Sequence, residues 1–274
     1  MTRPLLVTGG SGYLGSELLR RRPDAIGTFF TATTAPGFAL DVRDSEAVRR
    51  VFERERPRAV IHTAYRQDDR ATTLDGALAV AEAAAAVEAR LVHLSTDVVF
   101  DGEKSGAYCE EDEPRPITDY GRAKADAERA VRAAHPGALI VRTSLLYGAP
   151  RPSRQEQSVI DAARGNSEAV FFTDELRCPT HVGDLAAALL ELVDHDRAGV
   201  LHVAGADTLD RHEFACLLAV ARGLDPRRLR GAKAAESGMI RPLNCALASK
   251  LARKMLRTDL RGARMVLVGR RPSP

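Results

Sequence analysis

The chain has 274 residues, is 45% hydrophobic with few aromatics, and carries a formal net charge of +3. That length suits one α/β core with a smaller appended lobe, not two independent domains. The small charge, spread over interspersed Arg and Asp/Glu, makes no case for nucleic acid or a membrane surface as partner, although a local cluster still suits an anionic small molecule.

Cys109, Cys178, Cys216 and Cys245 have neither metal-ligand spacing nor the look of a disulfide framework, so reduced thiols are expected and no metal site is assigned. The first residues lack the hydrophobic region of a signal peptide, and no apolar run is long enough to cross a bilayer. The expectation is a cytoplasmic protein.

In chain order, residues 5–8 read as a buried strand stopped by GGSG, followed by a helix over 13–22 and a second strand over 25–30. A helix over 45–56, a strand over 59–63 and an alanine-rich helix over 72–89 come next. A strand over 91–95, a helix over 120–134 and a strand over 138–143 complete the pattern. Short apolar strands alternating with helices predict a doubly wound, Rossmann-like parallel sheet in an α/β fold. Residues 1–150 form that core in this reading. Residues 151–274 mainly form a substrate lobe, with helices over 155–164, 182–195, 212–221 and 245–256 and a return strand near 200–204. The terminal GRRPSP has the composition of a disordered end.

The turn after the first strand carries chemistry. Gly10, Gly12 and Gly15 satisfy G-x-G-x-x-G, while Gly9, Gly12 and Gly15 satisfy G-x-x-G-x-x-G. Glycines let the chain turn sharply and approach a pyrophosphate without a Cβ in the way. The helix behind them aims its first amides at that anion. Strand before and helix after is the context the motif requires. Gly9, Ser11, Gly12, Tyr13, Leu14 and Gly15 are therefore the cofactor cradle. The second strand, AIGTFFTATT, lacks the acid that would hold an NAD ribose, which admits NADPH. The hydroxyls of Thr28, Thr31 and Thr33 are candidates for its 2′-phosphate. No Arg follows closely in sequence, so the preference for NADPH over NADH is weak. Asp41 and Val42, beyond a third strand, are candidates for the adenine end, and Asp44 reads as a helix cap.

Tyr120 and Lys124 stand one helical turn apart and share a face. A nearby ammonium favours the phenolate and lowers a tyrosine's pKa, which suits proton transfer to a carbonyl oxygen as hydride arrives. Thr96 ends the preceding strand, where open α/β sheets place their ligands. Thr96, Tyr120 and Lys124 are the expected catalytic set. His62 and His93 lie in apolar strands and read as satisfied core histidines. Asp97 reads equally well as a structural turn residue or a direct participant. Arg142 and Arg241 are candidates for substrate phosphates, with surface pairing as the default.

The segments GGSGYLG, LDVRD, VIHTAY, HLSTDVVFDG, YGRAKADAE, IVRTSLLYG, RCPTHVGDLA and RPLNCALASKLA span nearly the whole chain. Together they resemble the extended short-chain dehydrogenase/reductases, most closely the dTDP-4-dehydrorhamnose reductase family. The resemblance implies that Lys124 also holds the nicotinamide ribose and that Ala64 and Tyr65 border the cofactor. It places Val98 and Leu145 near the sugar, with Thr96 and Tyr120. The family commonly carries an aromatic residue where Val98 stands and Trp where Leu145 stands. The implied activity is NAD(P)H-dependent reduction of a keto group on a nucleotide-activated deoxysugar. The alternatives are another carbonyl substrate, or a non-catalytic cofactor-binding role, since the chain also resembles the regulatory subunit of methionine adenosyltransferase. The implied partner is a small molecule; a homo-oligomer is compatible.

Overall fold

The structure is a computed structural model and describes residues 3–30 and 37–269. The candidate residues Thr31 and Thr33, and all but the first residue of the terminal GRRPSP, lie outside those residues.

The chain begins with β1 (Leu5–Thr8), α1 (Tyr13–Arg21), β2 (Ile26–Phe29), β3 (Gly37–Ala39), α2 (Ser45–Glu55) and β4 (Ala59–His62). A short π-helical turn, Ala71–Asp75, leads into α3 (Gly76–Ala86). Then come β5 (Arg90–Thr96), α4 (Asp119–Ala134), β6 (Leu139–Thr143), β7 (Leu146–Tyr147), α5 (Arg154–Arg164), β8 (Val170–Phe172) and β9 (Leu176–Arg177). The chain continues through β10 (Thr180–His181), α6 (Val182–Leu192), β11 (Gly199–His202), β12 (Leu209–Asp210), α7 (Arg211–Ala221) and β13 (Arg230–Ala232). It ends in α8 (Lys250–Met255) and α9 (Ala263–Val268).

Seven strands form one parallel sheet in the order β11-β6-β5-β4-β1-β2-β3. Its strands are apolar on both faces because helices cover both. Leu5, Val7, Ala59, Ile61, Val92, Leu94, Leu139 and Val141 point into a core shared with α1, α6 and α8. The alternate residues Leu6, Val60, Leu91 and Ile140 point into a second core with α2, α3 and α4. In α3, buried Ala77, Ala81 and Ala84 keep the helix face shallow enough to pack closely. One row breaks the apolar pattern: Thr28, Thr8, His62 and His93 stand opposite one another on adjoining strands, all buried.

The C-terminal part builds a third core from α5, α7, Phe171, Leu229 and Ala263 of α9. Its β structure is short: β8 pairs with β13, β9 with β12, and β7 with β10. The expected helix over 245–256 is corrected here. Helix begins only at Lys250, and the segment before it is extended, bridging Leu176 through Asn244 and Tyr108 through Leu247. Cys245, Ala246 and Leu247 are buried in succession, which suits a strand-like segment held on both sides and not one helical face. The alanine-rich helix is shorter than expected, ending at Ala86, with its first turn π-helical.

No helix among the described residues is long and apolar enough to cross a membrane.

Candidate active site

The order of strands reverses at β1, with β2 on one side and β4 on the other. Such a switch point opens a crevice at the carboxyl ends of the strands. Gly9 leaves β1 with φ +74°, and a Cβ there would lie 2.8 Å from the Ala64 amide nitrogen. Thr63 donates from Oγ1 to the Thr8 carbonyl at 2.7 Å, tying the two strand ends together. At Gly15 a Cβ would sit 2.1 Å from the Gly9 oxygen, so α1 can pack on the turn only with glycine there. Gly12 is different: it is exposed, and a Cβ would meet only the Gly9 oxygen, at 3.0 Å. It caps α1 without a side-chain bond. The first amide of this helix bonded back to the cap is that of Ser16. The amides of Tyr13, Leu14 and Gly15 are thus left for an outside acceptor, the arrangement that binds a pyrophosphate.

The Tyr13 hydroxyl donates to Glu156 Oε2 at 2.8 Å and accepts from the Ala149 amide at 2.9 Å, so its side chain reaches the C-terminal part. Ser11 is exposed, and its carbonyl accepts from Arg151 at 3.4 Å. Asp41 is held by Arg43, with Nη2 2.7 Å from Oδ2. Val42 is buried beneath it. Thr28 is buried in β2, which removes it as a phosphate ligand. No Arg follows the second strand closely in sequence, but Arg43 folds back with its guanidinium 5.3 Å from the centre of the Phe30 ring.

At the neighbouring strand end, Thr118 caps α4 by accepting from the Gly121 amide at 3.1 Å. This fixes the helix start beside Thr96. The Tyr120 hydroxyl is flanked by those of Thr96 and Tyr65. The Tyr65 and Tyr120 rings are 5.7 Å apart. Lys124, one turn on, is buried, donates to the Leu94 carbonyl at 2.5 Å, and lies 5.5 Å from the Tyr65 ring centre. Burial lowers the Lys124 ammonium to about 8, opposed by the negative charge of Glu128.

The expected lowering of Tyr120 is reversed. Burial, followed by the neighbouring Tyr65 and Asp97, raises its phenol well above the usual range. The sequence spacing suggested an ammonium against the phenol, whereas the Lys124 ammonium is engaged by a main-chain carbonyl.

His62 and His93 stack 5.2 Å apart under Lys124. The Thr8 hydroxyl lies 2.6 Å from His62 Nδ1. His62 Nε2 and both His93 ring nitrogens have no partner, so these are buried but not satisfied histidines. Burial, then the Lys124 charge, keeps them neutral, His62 down to about 3.

A line of buried charge leads away from Thr96. Thr96 Oγ1 donates to Asp97 Oδ1 at 3.1 Å, and Ser144 Oγ donates to Asp97 Oδ2 at 2.6 Å. Arg177 Nε is 3.7 Å from the same carboxylate, and its Nη2 is 3.0 Å from Glu175 Oε1. Glu175 in turn holds Arg241 at 2.7 Å and Arg211 at 3.4 Å. Those last two arginines, with Phe171, Phe172 and Met239, line a cavity of about 330 Å³. Three guanidiniums face two carboxylates along this line, so positive charge is in surplus at the cavity. Sequence reasoning named Arg241 but missed Glu175, Arg177 and Arg211. The block RCPTHVGDLA, which opens on Arg177, was the available signal for that residue alone. Arg142 is corrected: it is buried and bound to Glu128 at 2.7 Å, neither at the surface nor at the cavity.

Val98 and Leu145, both half-buried, follow the carboxyl ends of the neighbouring strands β5 and β6. Among the described residues no cluster of His, Cys, Asp and Glu could hold a metal ion.

A glycine turn at a switch point, with a strand-end threonine and a Tyr/Lys helix beside it, defines a dinucleotide-dependent oxidoreductase. The RmlD substrate binding domain family model matches residues 2–267, and the chain belongs to that family. It is similar to dTDP-4-dehydrorhamnose reductase of Mycolicibacterium smegmatis, at 33% identity over 84% of this chain and 72% of that protein. It is similar also to methionine adenosyltransferase 2 subunit beta of Rattus norvegicus, at 32% identity over 84% of this chain and 75% of that one. Among solved structures, dTDP-4-dehydrorhamnose reductase from Bacillus anthracis in complex with NADP superposes with a TM-score of 0.85 at 26% identity, covering 98% of each chain. The chain binds a nicotinamide cofactor and is an NAD(P)-dependent oxidoreductase.

Proposed function

We propose that the protein reduces a keto group on a nucleotide-activated deoxysugar, using NADPH or NADH. The observation that carries this reading is the cavity lined by Arg211 and Arg241, joined to Thr96 by hydrogen bonds and ion pairs that run through buried Asp97, Arg177 and Glu175. Paired guanidiniums suit the phosphates of a nucleotide, and the Phe172 ring lies under the Arg241 guanidinium and helps to fix it. Residues 1–150 hold the cofactor and 151–274 mainly hold the substrate in this reading.

Gly9, Ser11, Gly12, Tyr13, Leu14 and Gly15 bind the pyrophosphate through main-chain amides, with Asp41 and Val42 at the adenine and Ala64 and Tyr65 along the crevice. The bound cofactor supplies hydride. Tyr120 gives its proton to the carbonyl oxygen; burial keeps that phenol protonated and ready at neutral pH. Thr96 aligns the same oxygen. Lys124 holds the nicotinamide ribose. Val98 and Leu145 give the sugar aliphatic walls, so more of the binding energy comes from the nucleotide.

The test is NADPH oxidation with dTDP-4-dehydrorhamnose and with unactivated ketosugars. Turnover only with the nucleotide-linked substrate supports the reading; equal turnover with unactivated ketones overturns the nucleotide part. The likeness to methionine adenosyltransferase 2 subunit beta favours a second reading, a cofactor-binding regulatory subunit. Tight NADPH binding without turnover of any carbonyl compound would select it.

A further inference from the structure

Tyr120, Lys124 and Glu128 follow one another at four-residue spacing on α4 and so share a face. Glu128 is buried, and its carboxylate is fully engaged. Ser95 Oγ of β5 donates to Oε1 at 2.5 Å. Arg142 of β6 donates to both oxygens, from Nη2 at 2.7 Å and from Nε at 3.0 and 3.2 Å. Arg142 is itself fixed, 5.1 Å from the Phe100 ring centre and 3.4 Å from His202. The carboxylate thus bolts α4 to the two strands that carry Thr96 and Thr143 at their ends.

A buried carboxylate is costly unless paired, and a helix needs no such bolt for stability alone; apolar residues of the same size pack as well or better. Its value here lies in what stands one turn before it. Lys124 faces only uncharged or proton-accepting groups otherwise. These are His62 from β4, His93 and the Leu94 carbonyl from β5, Tyr65 from the segment after β4, and Tyr120 on its own helix. Glu128 is the one carboxylate among the described residues acting on this ammonium.

We propose that Glu128 is a positioning residue for the Tyr120/Lys124 pair: clamped by Ser95 and Arg142, it sets the height of α4 against Thr96 and holds a carboxylate one helical turn from the Lys124 side chain. This deepens the catalytic reading of Lys124 and rests on it. Burial pulls that ammonium toward neutrality, and the Glu128 carboxylate opposes the pull.

The chain has five lysines, so the titration of Lys124 can be followed directly by carbon NMR of labelled lysine side chains, assigned with Lys124→Arg. The wild-type Lys124 midpoint should lie near 8. Glu128→Gln keeps the shape and removes the charge; the midpoint should fall by about one unit or more. The alkaline loss of NADPH affinity should move with it. Glu128→Asp restores the charge and should return the midpoint toward wild type. An unchanged midpoint in folded Glu128→Gln overturns the proposal, as does a wild-type midpoint among those of the other lysines. Should Glu128→Gln fail to fold, it is made in an Arg142→Leu background and compared with Arg142→Leu alone, so that the two differ only in the carboxylate; the Lys124 midpoint should be lower in the double variant, and equal midpoints overturn the proposal. None of these readouts needs turnover, so an inactive wild type would defeat the catalytic reading while leaving this measurement decisive.

Discussion

The two ends of the site are built in different materials. At the glycine turn the groups left free are main-chain amides, placed by backbone shape at Gly9, Gly12 and Gly15. At the cavity beyond Thr96 they are side chains, Arg211 and Arg241, placed by a buried relay through Glu175, Arg177 and Asp97. A backbone site tolerates sequence change as long as the glycines remain. A side-chain site changes its ligand when one residue changes.

That contrast can be broken by substitutions at either end. Tyr120→Phe touches the chemistry common to both ends: kcat should fall by about 10²–10⁴-fold with cofactor affinity little changed, measured by steady-state NADPH oxidation and separate titration. Wild-type turnover in this variant would remove Tyr120 as the proton donor.

Arg241→Gln should weaken binding of the nucleotide-linked substrate by roughly 10- to 100-fold, the worth of a charged hydrogen bond, and leave NADPH affinity unchanged. Calorimetry with dTDP and with NADPH reads both. Loss of both affinities together would mean that the two ends are not separable.

Acid should act on the sheet. Burial keeps His62 and His202 neutral down to about 3, against 6.5 in an unfolded chain, and His93 is lowered in the same direction. Below 6.5 the unfolded chain takes up protons that the folded one refuses, so stability is present at neutral pH and falls as pH falls. At pH 5.5 the loss should be about 1.4 kcal/mol for each imidazole, read from urea midpoints at the two pH values. Equal midpoints would show that these rings are solvated. The smallest effect concerns Lys124, whose ammonium is half lost at pH about 8. NADPH affinity should fall by about half there and further as pH rises. A flat profile to pH 10 would exclude the ammonium from cofactor binding.

The sheet was legible because each strand is a short apolar run between turns. Residues 5–8, 59–63 and 138–143 needed no tertiary information, and Asp44 does cap α2, accepting from the Ala47 amide at 2.9 Å. The glycine turn carried its own signature. The lobe was less legible. Pairs such as β9 with β12 and the Leu176–Asn244 bridge join residues far apart in sequence, and two-residue strands leave no periodicity to read. Charged residues default to the surface in a sequence reading. Arg142, Arg177 and Glu175 are each nearly inaccessible because they neutralise one another or a neighbour across the fold. Val98 and Leu145 were named by resemblance alone, since nothing local marks them.

The row Thr28, Thr8, His62, His93 has one more consequence. A parallel sheet that is apolar on both faces offers little to distinguish one alignment of its strands from another, because leucine beside valine is as good as valine beside leucine. The polar row works as a datum line. Sliding β4 by one residue against β1 would carry His62 away from Thr8 and bury another unpaired polar atom, at about 1–3 kcal/mol. The same slide would move Ala64 by about 3.3 Å relative to Gly9. The row sits on the last rung of β1 and β4, so the level at which these strands agree is also the level from which the crevice between them is measured.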